Sequence, residues 1–169
     1  MPNMLGVLLF VVQVSPGSIP AVDVTAAEIR NTLETTPEIA PGIIDTPIRT
    51  LDAGDYDVGI AVVSRGPATG VVAGTTHTEV TEVYTILEGS GTIVTGGRLI
   101  DPRPRGSGDA PRRPGTSGPS LTGTGMEGAV SRELVAGDMV IIPAGTPHYF
   151  AEIPQSLVYT IVRIDPGGR

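Results

Sequence analysis

The sequence predicts a mostly β protein, an antiparallel β-barrel or jelly roll with one short N-terminal helix. Three observations favour this class. The 169 residues include 23 glycines and 16 prolines, and both residue types mark tight turns and interrupt helices. Short runs rich in Val, Ile, Tyr and Thr recur between these turn residues, as in the strands of a sandwich or barrel. The chain is also 40% hydrophobic and 17% charged, enough apolar side chains for one packed domain.

The charged residues exclude several classes of function. The net charge is −7 and all eleven basic residues are arginines. An acidic chain without a basic stripe is not expected to bind nucleic acid or an anionic membrane. The absence of lysine excludes Schiff-base chemistry. The absence of cysteine excludes thiolate nucleophiles, thiolate metal ligands and disulfides. Chemistry is therefore left to His, Asp, Glu, Tyr, Ser, Thr and Arg, with or without a metal.

Residues 1–47 are expected to form an N-terminal arm and a short helix before the barrel at 48–169. Met4–Val14 is apolar but shorter than the roughly 20 residues that cross a bilayer as a helix. No basic residue precedes it, so we interpret it as a buried strand of a cytoplasmic protein, docked on the sheet or on a second subunit. The alternative is a weak export signal. Thr25 and Glu28 form a capping box that predicts a helix over Ala26–Glu34.

Strands are expected wherever apolar and β-branched residues alternate with turn residues. The segment 101–128 is rich in Gly, Pro, Ser, Thr and Arg and predicts a long solvated loop, with a lid over a nearby cavity as the alternative. The eight predicted strands are Ile48–Ala53, Tyr56–Ser64, Glu82–Leu87, Gly91–Thr95, Ala129–Val135, Met139–Ile142, Pro147–Ala151 and Leu157–Ile164.

The two histidines of the chain, His77 and His148, both lie near predicted strand starts. Glu82 follows His77 by five residues, and His148 follows the turn Pro143–Gly145. Strand starts in a closed barrel can converge on one interior point. Two imidazoles and a carboxylate at such a point form a plausible set of ligands for a divalent metal.

These two segments resemble the paired motifs of the cupin superfamily. The second motif is matched without a gap, whereas the first is matched in part, because Thr75 stands where cupins usually carry their first histidine. Glu152 likewise stands where an asparagine often closes the second motif. The resemblance extends over residues 56–164 and implies a cupin barrel that is often dimeric. The matching positions are His77, Glu82 and Gly89 in the first motif and Gly137, Pro143, Gly145 and His148 in the second.

The resemblance implies a metal held by His77, Glu82 and His148, with iron, zinc, manganese or nickel all compatible. Proton transfer would fall to Glu82, Tyr84 or Glu79. Contacts to the substrate are expected from Thr75, Tyr84, Tyr149 and Phe150. Arg65 and Arg163 are expected to face outward, the alternative being that they anchor an anionic substrate.

Three functions remain open from the sequence. The first is a metal-dependent enzyme, of oxygenase, isomerase, lyase or cyclase type, acting on a small organic molecule in the barrel. The second is a metal-free cyclase or isomerase with His and Glu as its acid–base pair, which the loss of the first histidine at Thr75 favours. The third is a cupin that binds a ligand without turning it over. All three imply a small-molecule partner and a homodimer.

Overall fold

The computed structural model describes residues 20–105 and 115–167, in which the chain forms one helix and twelve strands. The apolar run Met4–Val14 lies outside the described residues. The elements are α1 (Ala26–Thr35), β1 (Ile43–Asp52), β2 (Asp57–Arg65), β3 (Thr75–His77), β4 (Thr81–Thr95), β5 (Arg98–Ile100), β6 (Arg103–Pro104), β7 (Ser120–Thr122), β8 (Gly125–Glu127), β9 (Val130–Val135), β10 (Met139–Ile142), β11 (His148–Glu152) and β12 (Leu157–Asp165).

The helix begins where the capping box predicts. The side chain of Thr25 accepts a hydrogen bond from the backbone N–H of Glu28, and the Glu28 carboxylate accepts one from the backbone N–H of Thr25. These two bonds satisfy N–H groups that the first helical turn leaves unpaired. Across residues 20–105 and 115–167, no helix has the length and apolar character needed to cross a membrane.

Every strand pairing is antiparallel. The main sheet runs in the order β1-β2-β12-β4-β11-β3-β7-β6, with β9 and β10 also paired to β4, and β5 pairs with β8 in a small second sheet. The main sheet curls into a half-barrel. This architecture confirms the mostly β, antiparallel fold with one short helix.

The core lies on the concave face of the curled sheet. Side chains alternate between the two faces of a strand, and on β12 the inward set is Leu157, Tyr159 and Ile161, each at most 2% exposed. The same inner face receives the alternate residues Ala61 and Val63 of β2. This face is continuous across β2, β12 and β4, so a polar side chain at an alternate position of these strands also points into the interior.

Strand β4 is longer than the sequence indicates. The predicted strands Glu82–Leu87 and Gly91–Thr95 are one strand that continues through Gly89, whose φ is +76°. A Cβ at this position would lie 1.9 Å from the carbonyl oxygen of Ser156, so glycine is required for the backbones to approach. Gly89 is therefore a paired residue within one strand, two positions after the register shift that leaves Leu87 without a partner on β12.

Two further boundaries differ from those predicted. Strand β1 begins at Ile43 rather than Ile48, so the end of the expected N-terminal arm belongs to the sheet. The expected loop at 101–128 contains β6, β7 and β8 in its described part. These strands are two or three residues long and are held by backbone pairing. Such short strands show no alternation of apolar and polar residues for a sequence pattern to detect.

Candidate metal centre

Three strands bring His77, Glu82 and His148 together. His77 is the last residue of β3, Glu82 is the second of β4 and His148 is the first of β11. The turn of the second motif is joined to the first motif directly, because the backbone N–H of Gly145 donates to the carbonyl oxygen of His77 at 2.8 Å. All three side chains are buried, and one potential ligand atom from each lies within 4.8 Å of the other two.

Hydrogen bonds fix the tautomer of each imidazole. The Ser120 hydroxyl donates to the carbonyl oxygen of Gly118 at 2.9 Å. It therefore accepts from Nδ1 of His77, 2.8 Å away. Nδ1 of His148 lies 3.0 Å from the carbonyl oxygen of Thr146, which can only accept. Both rings thus carry their proton on Nδ1 and present an Nε2 lone pair, as metal-binding histidines do.

The Glu82 carboxylate lies between these two lone pairs. Its Oε2 atom is 3.6 Å from Nε2 of His77 and 3.5 Å from Nε2 of His148. Tyr84 donates its hydroxyl to the same oxygen at 2.8 Å, and this hydroxyl is also 3.2 Å from Nε2 of His148. The other oxygen, Oε1, accepts from Nε of Arg163 at 3.0 Å. The carboxylate is therefore oriented from both sides.

Burial and charge set the protonation states of the cluster. Burial lowers the pKa of His77 from 6.5 to about 4, although the charge of Glu82 opposes the shift. Burial lowers the pKa of His148 in the same way. For Glu82, burial raises the pKa, but His77, Arg163 and His148 together outweigh it and hold the pKa below its usual value. At neutral pH the cluster is two neutral imidazoles and one carboxylate.

Tyr84 keeps its proton in this environment. Burial, and then the charge of Glu82, raise the pKa of its hydroxyl well above 10. Its ring stacks on Phe150 with centroids 6.5 Å apart and lies 4.8 Å from the ring of Tyr159. The hydroxyl is thus a fixed hydrogen-bond donor at the edge of an aromatic cluster.

The three residues open onto a cavity of about 720 Å³, a volume typical of small-molecule sites. Among the predicted substrate contacts, Thr75, Tyr84, Tyr149 and Phe150 all line it. The structure does not bring Glu79 into this group. Glu79 is exposed, lies between β3 and β4, and is absent from the cavity wall.

The expectation that Arg163 faces outward is wrong. Arg163 is 3% exposed and shares the inward parity of Tyr159 and Ile161 on β12. Its Nη2 atom donates to both carboxylate oxygens of Asp45, at 3.2 and 3.3 Å, and its Nη1 atom to the carbonyl oxygen of Gly115 at 3.3 Å. Paired acceptors on several sides offset the cost of burying this charge.

Arg65 also departs from the outward orientation that we expected. It is the last residue of β2, lines the cavity and donates from Nε to the hydroxyl of Tyr159 at 2.9 Å. Two other residues of the site were missed at the sequence level. Ser120 lies in the segment interpreted as a loop, and Asp45 in the segment interpreted as an arm, and neither belongs to a motif that could have marked it.

The donor set fits a divalent cation. Two ligand atoms that bind the same ion, each at a distance of about 2.1 Å, lie no more than about 4.2 Å from each other. The two distances between imidazole nitrogen and Glu82 oxygen, 3.5 and 3.6 Å, satisfy this limit, and the ligand atoms of the two histidines lie within 4.8 Å of each other. Neutral imidazoles and a carboxylate also suit iron(II), zinc, manganese and nickel.

No family model matches this chain, and no curated protein matches it. Solved structures that are similar to it include KdgF of a Halomonas species (13% identity, TM-score 0.45, covering 76% of this chain and 85% of that chain). Another is the cupin domain of Schizosaccharomyces pombe Cnp3 (8% identity, TM-score 0.48, covering 79% of this chain and 66% of that chain). A third is a salicylate 1,2-dioxygenase variant of Pseudoaminobacter salicylatoxidans in complex with gentisate (15% identity, TM-score 0.47, covering 81% of this chain and 30% of that chain).

Likeness at these identities concerns the fold alone. The fold itself is described by the chain's own strands, which form an antiparallel half-barrel, with the residues of both motifs meeting on its inner face. The chain is therefore an antiparallel half-barrel, a fold consistent with the cupin barrel that the two motifs predict.

Proposed function

We propose that this protein is a metal-dependent enzyme that acts on a small organic molecule in the cavity beside His77, Glu82 and His148. One observation carries the proposal: both imidazoles are anchored through Nδ1, so that both Nε2 lone pairs face Oε2 of Glu82. A histidine with a purely structural role has no need to present a lone pair to a buried carboxylate. This arrangement supports a site shaped for a cation.

His77, Glu82 and His148 would hold the metal, as two imidazoles and one carboxylate. A bound divalent cation would supply Lewis-acid polarisation of a substrate oxygen or, as iron(II), reactivity toward oxygen. The protein's own groups do the rest of the work. Arg163 fixes Glu82 through Oε1, and the Tyr84 hydroxyl holds a proton 2.8 Å from Oε2, where it can donate to a substrate.

The cavity walls orient the substrate and restrict water. Phe150 and Tyr159 contact Tyr84 and each other, so one side of the site is an aromatic surface. Ile153 and Ile161 extend this surface along the cavity. Excluding water strengthens each electrostatic interaction at the site.

The first test is elemental analysis of protein purified without chelators or metal-affinity steps. We expect near-stoichiometric metal in the native protein, and its loss in His77→Ala, His148→Ala and Glu82→Gln. The exposed Glu79 provides a matched control, because Glu79→Gln should retain the metal. Iron would direct substrate screens to aerobic reactions, whereas zinc, manganese or nickel would direct them to isomerase, lyase or cyclase reactions.

A second variant tests the orientation of His77. Ser120→Ala removes the acceptor of the Nδ1 proton, and we expect metal affinity to fall about 10- to 100-fold. Circular dichroism checks that each variant folds. Native protein that takes up no metal even after reconstitution, or metal that persists in the two histidine variants, would contradict the proposal.

A metal-free enzyme is the second candidate, and one observation favours it. The Tyr84 hydroxyl lies between Glu82 and Nε2 of His148, 2.8 and 3.2 Å away, so the three groups form a chain in which the single hydroxyl proton can be donated to either acceptor. Such a chain can move a proton without a cation, as a cyclase or isomerase requires. Turnover that persists in protein shown to be free of metal would favour this candidate.

A further inference from the structure

Arg65 places a cation on the wall of the cavity. It follows Ala61 and Val63 on the inner face of β2, and its Nε is committed to the Tyr159 hydroxyl. Across residues 20–105 and 115–167, no carboxylate forms a salt bridge with Arg65, and Asp45 pairs with Arg163 instead. Arg65 is half-buried, and a guanidinium withdrawn from water is stable only where its N–H groups find acceptors, so its two Nη groups are the donors that a ligand would satisfy.

The charge balance of the cavity indicates the sign of that ligand. Among the residues that the structure describes, the charged ones of its wall are three arginines, Arg65, Arg105 and Arg163, and two carboxylates, Asp45 and Glu82. One positive charge is therefore in excess, in a chain whose net charge is −7. A divalent cation at the metal site would increase this excess. The cavity is consequently electropositive inside an acidic protein, which attracts anions and concentrates them there.

The remaining wall indicates the body of the ligand. Apolar side chains of Ala68, Val71, Phe150 and Ile153 line the cavity together with Arg65. A guanidinium offers two parallel N–H donors that match the two oxygens of a carboxylate. A phosphate would call for further donors close to Arg65, whereas the side chains named beside it are apolar. The wall therefore suits an organic acid with a hydrocarbon body.

We propose that the cavity binds a small organic carboxylate, with its carboxylate on Arg65 and its hydrocarbon body against the apolar wall. The alternative that the sequence left open for Arg65, an anchor for an anionic substrate, is the one this placement supports. The statement that the bound acid is the substrate rests on the proposed function. The binding itself does not, and can be measured without a metal.

The test is calorimetric titration of the metal-depleted protein with hexanoate, benzoate, their uncharged amides and inorganic phosphate. We expect at least one acid to bind at least about tenfold more tightly than its amide, because hydrogen bonds to a charged partner contribute that much. Arg65→Gln should weaken this binding by about 10- to 100-fold, and Arg65→Lys by less. Arg132 is exposed on β9, and Arg132→Gln should bind as the native protein does.

Three results would overturn the proposal. These are no binding by either acid, equal binding of acid and amide, or phosphate binding more tightly than both acids. Unweakened binding by folded Arg65→Gln would also overturn it. The comparison of acid with amide uses the native protein, so it decides the proposal even if Arg65→Gln fails to fold.

The same preparations separate this inference from the proposed function. Arg65 is not a ligand, so Arg65→Gln should retain its metal. Loss of acid binding with metal retained is the expected result for that variant. Native protein that binds metal but no acid refutes the carboxylate site alone, whereas native protein that binds acid but no metal refutes the metal enzyme alone.

Discussion

Replacing Arg163 with methionine tests whether the buried ion pair holds the site together. Arg163 contacts Glu82, Asp45 and Gly115, so the substitution removes the partner of two carboxylates at once. Asp45 has a side chain 30% exposed and can be hydrated, whereas Glu82 is 1% exposed and cannot. Most of the cost therefore comes from Glu82.

The expected loss follows from this asymmetry. Removing one partner of a buried ion pair costs about 3–5 kcal/mol of unfolding free energy, because the other charge remains without compensation. Asp45→Asn should lower the unfolding free energy by only about 1 kcal/mol, because Arg163 keeps its contact with Glu82 and position 45 is partly exposed to solvent. Combining Arg163→Met with Glu82→Gln should restore about 2 kcal/mol, because the uncompensated charge is gone.

The assay is urea unfolding of the metal-depleted protein, followed by far-ultraviolet circular dichroism at neutral pH. Arg132→Met is the matched control, because this exposed arginine should change the unfolding free energy by less than about 0.5 kcal/mol. A cost below about 1 kcal/mol for Arg163→Met, or strict additivity in the double variant, would show that Glu82 does not depend on this ion pair.

Further predictions concern pH, packing, the tyrosine and assembly. The unfolding free energy of the metal-depleted protein should fall by about 3 kcal/mol as the pH is lowered from 6.5 to about 4. Folding lowers the pKa of His77 across that interval, so the unfolded chain takes up the proton first. Urea titrations at several pH values should show a weaker pH dependence of stability in His77→Gln. Gly59→Ala should lower the unfolding free energy by about 1–3 kcal/mol, because the added Cβ would lie 2.5 Å from Cα of Gly115. An unchanged midpoint of urea unfolding would contradict this packing. Tyr84→Phe should lower the unfolding free energy by about 1.5–3 kcal/mol. It should also raise the pKa of Glu82, because the carboxylate loses the hydrogen bond from the Tyr84 hydroxyl, and NMR titration of the carboxyl group measures this change. The homodimer expected from the sequence is tested by light scattering, where a monomeric mass would contradict it.

The residues of the site were predictable where their spacing lies within one motif. Glu82 lies five residues after His77, and His148 three after the glycine of its turn, so the backbone between them leaves little freedom. The structure brings these three side chains together. The spacing sets the positions within each motif, whereas the meeting of the two motifs depends on the long-range pairing of β3 with β11.

The orientation of Arg163 was not predictable in this way. Strand β12 lies between β2 and β4, so both of its faces carry apolar residues, Leu157 and Ile161 on one and Val158 and Val162 on the other. Alternation identifies an inner face only when the outer face is polar. On such a central strand, the position of a charge depends on partners such as Asp45, which is distant in sequence.

The single strand β4 determines which parts of this protein can move. Its first half is hydrogen-bonded to β12 and β10, and its second half to β9 and β11. Opening β4 therefore requires that four strands separate, and amide protons along it should exchange with solvent close to the rate of global unfolding. Glu82 and Tyr84 thus belong to the slowest-exchanging part of the molecule. Many of the pairings that enclose β4 are distant in sequence, so forming the site requires long-range contacts, which slow folding.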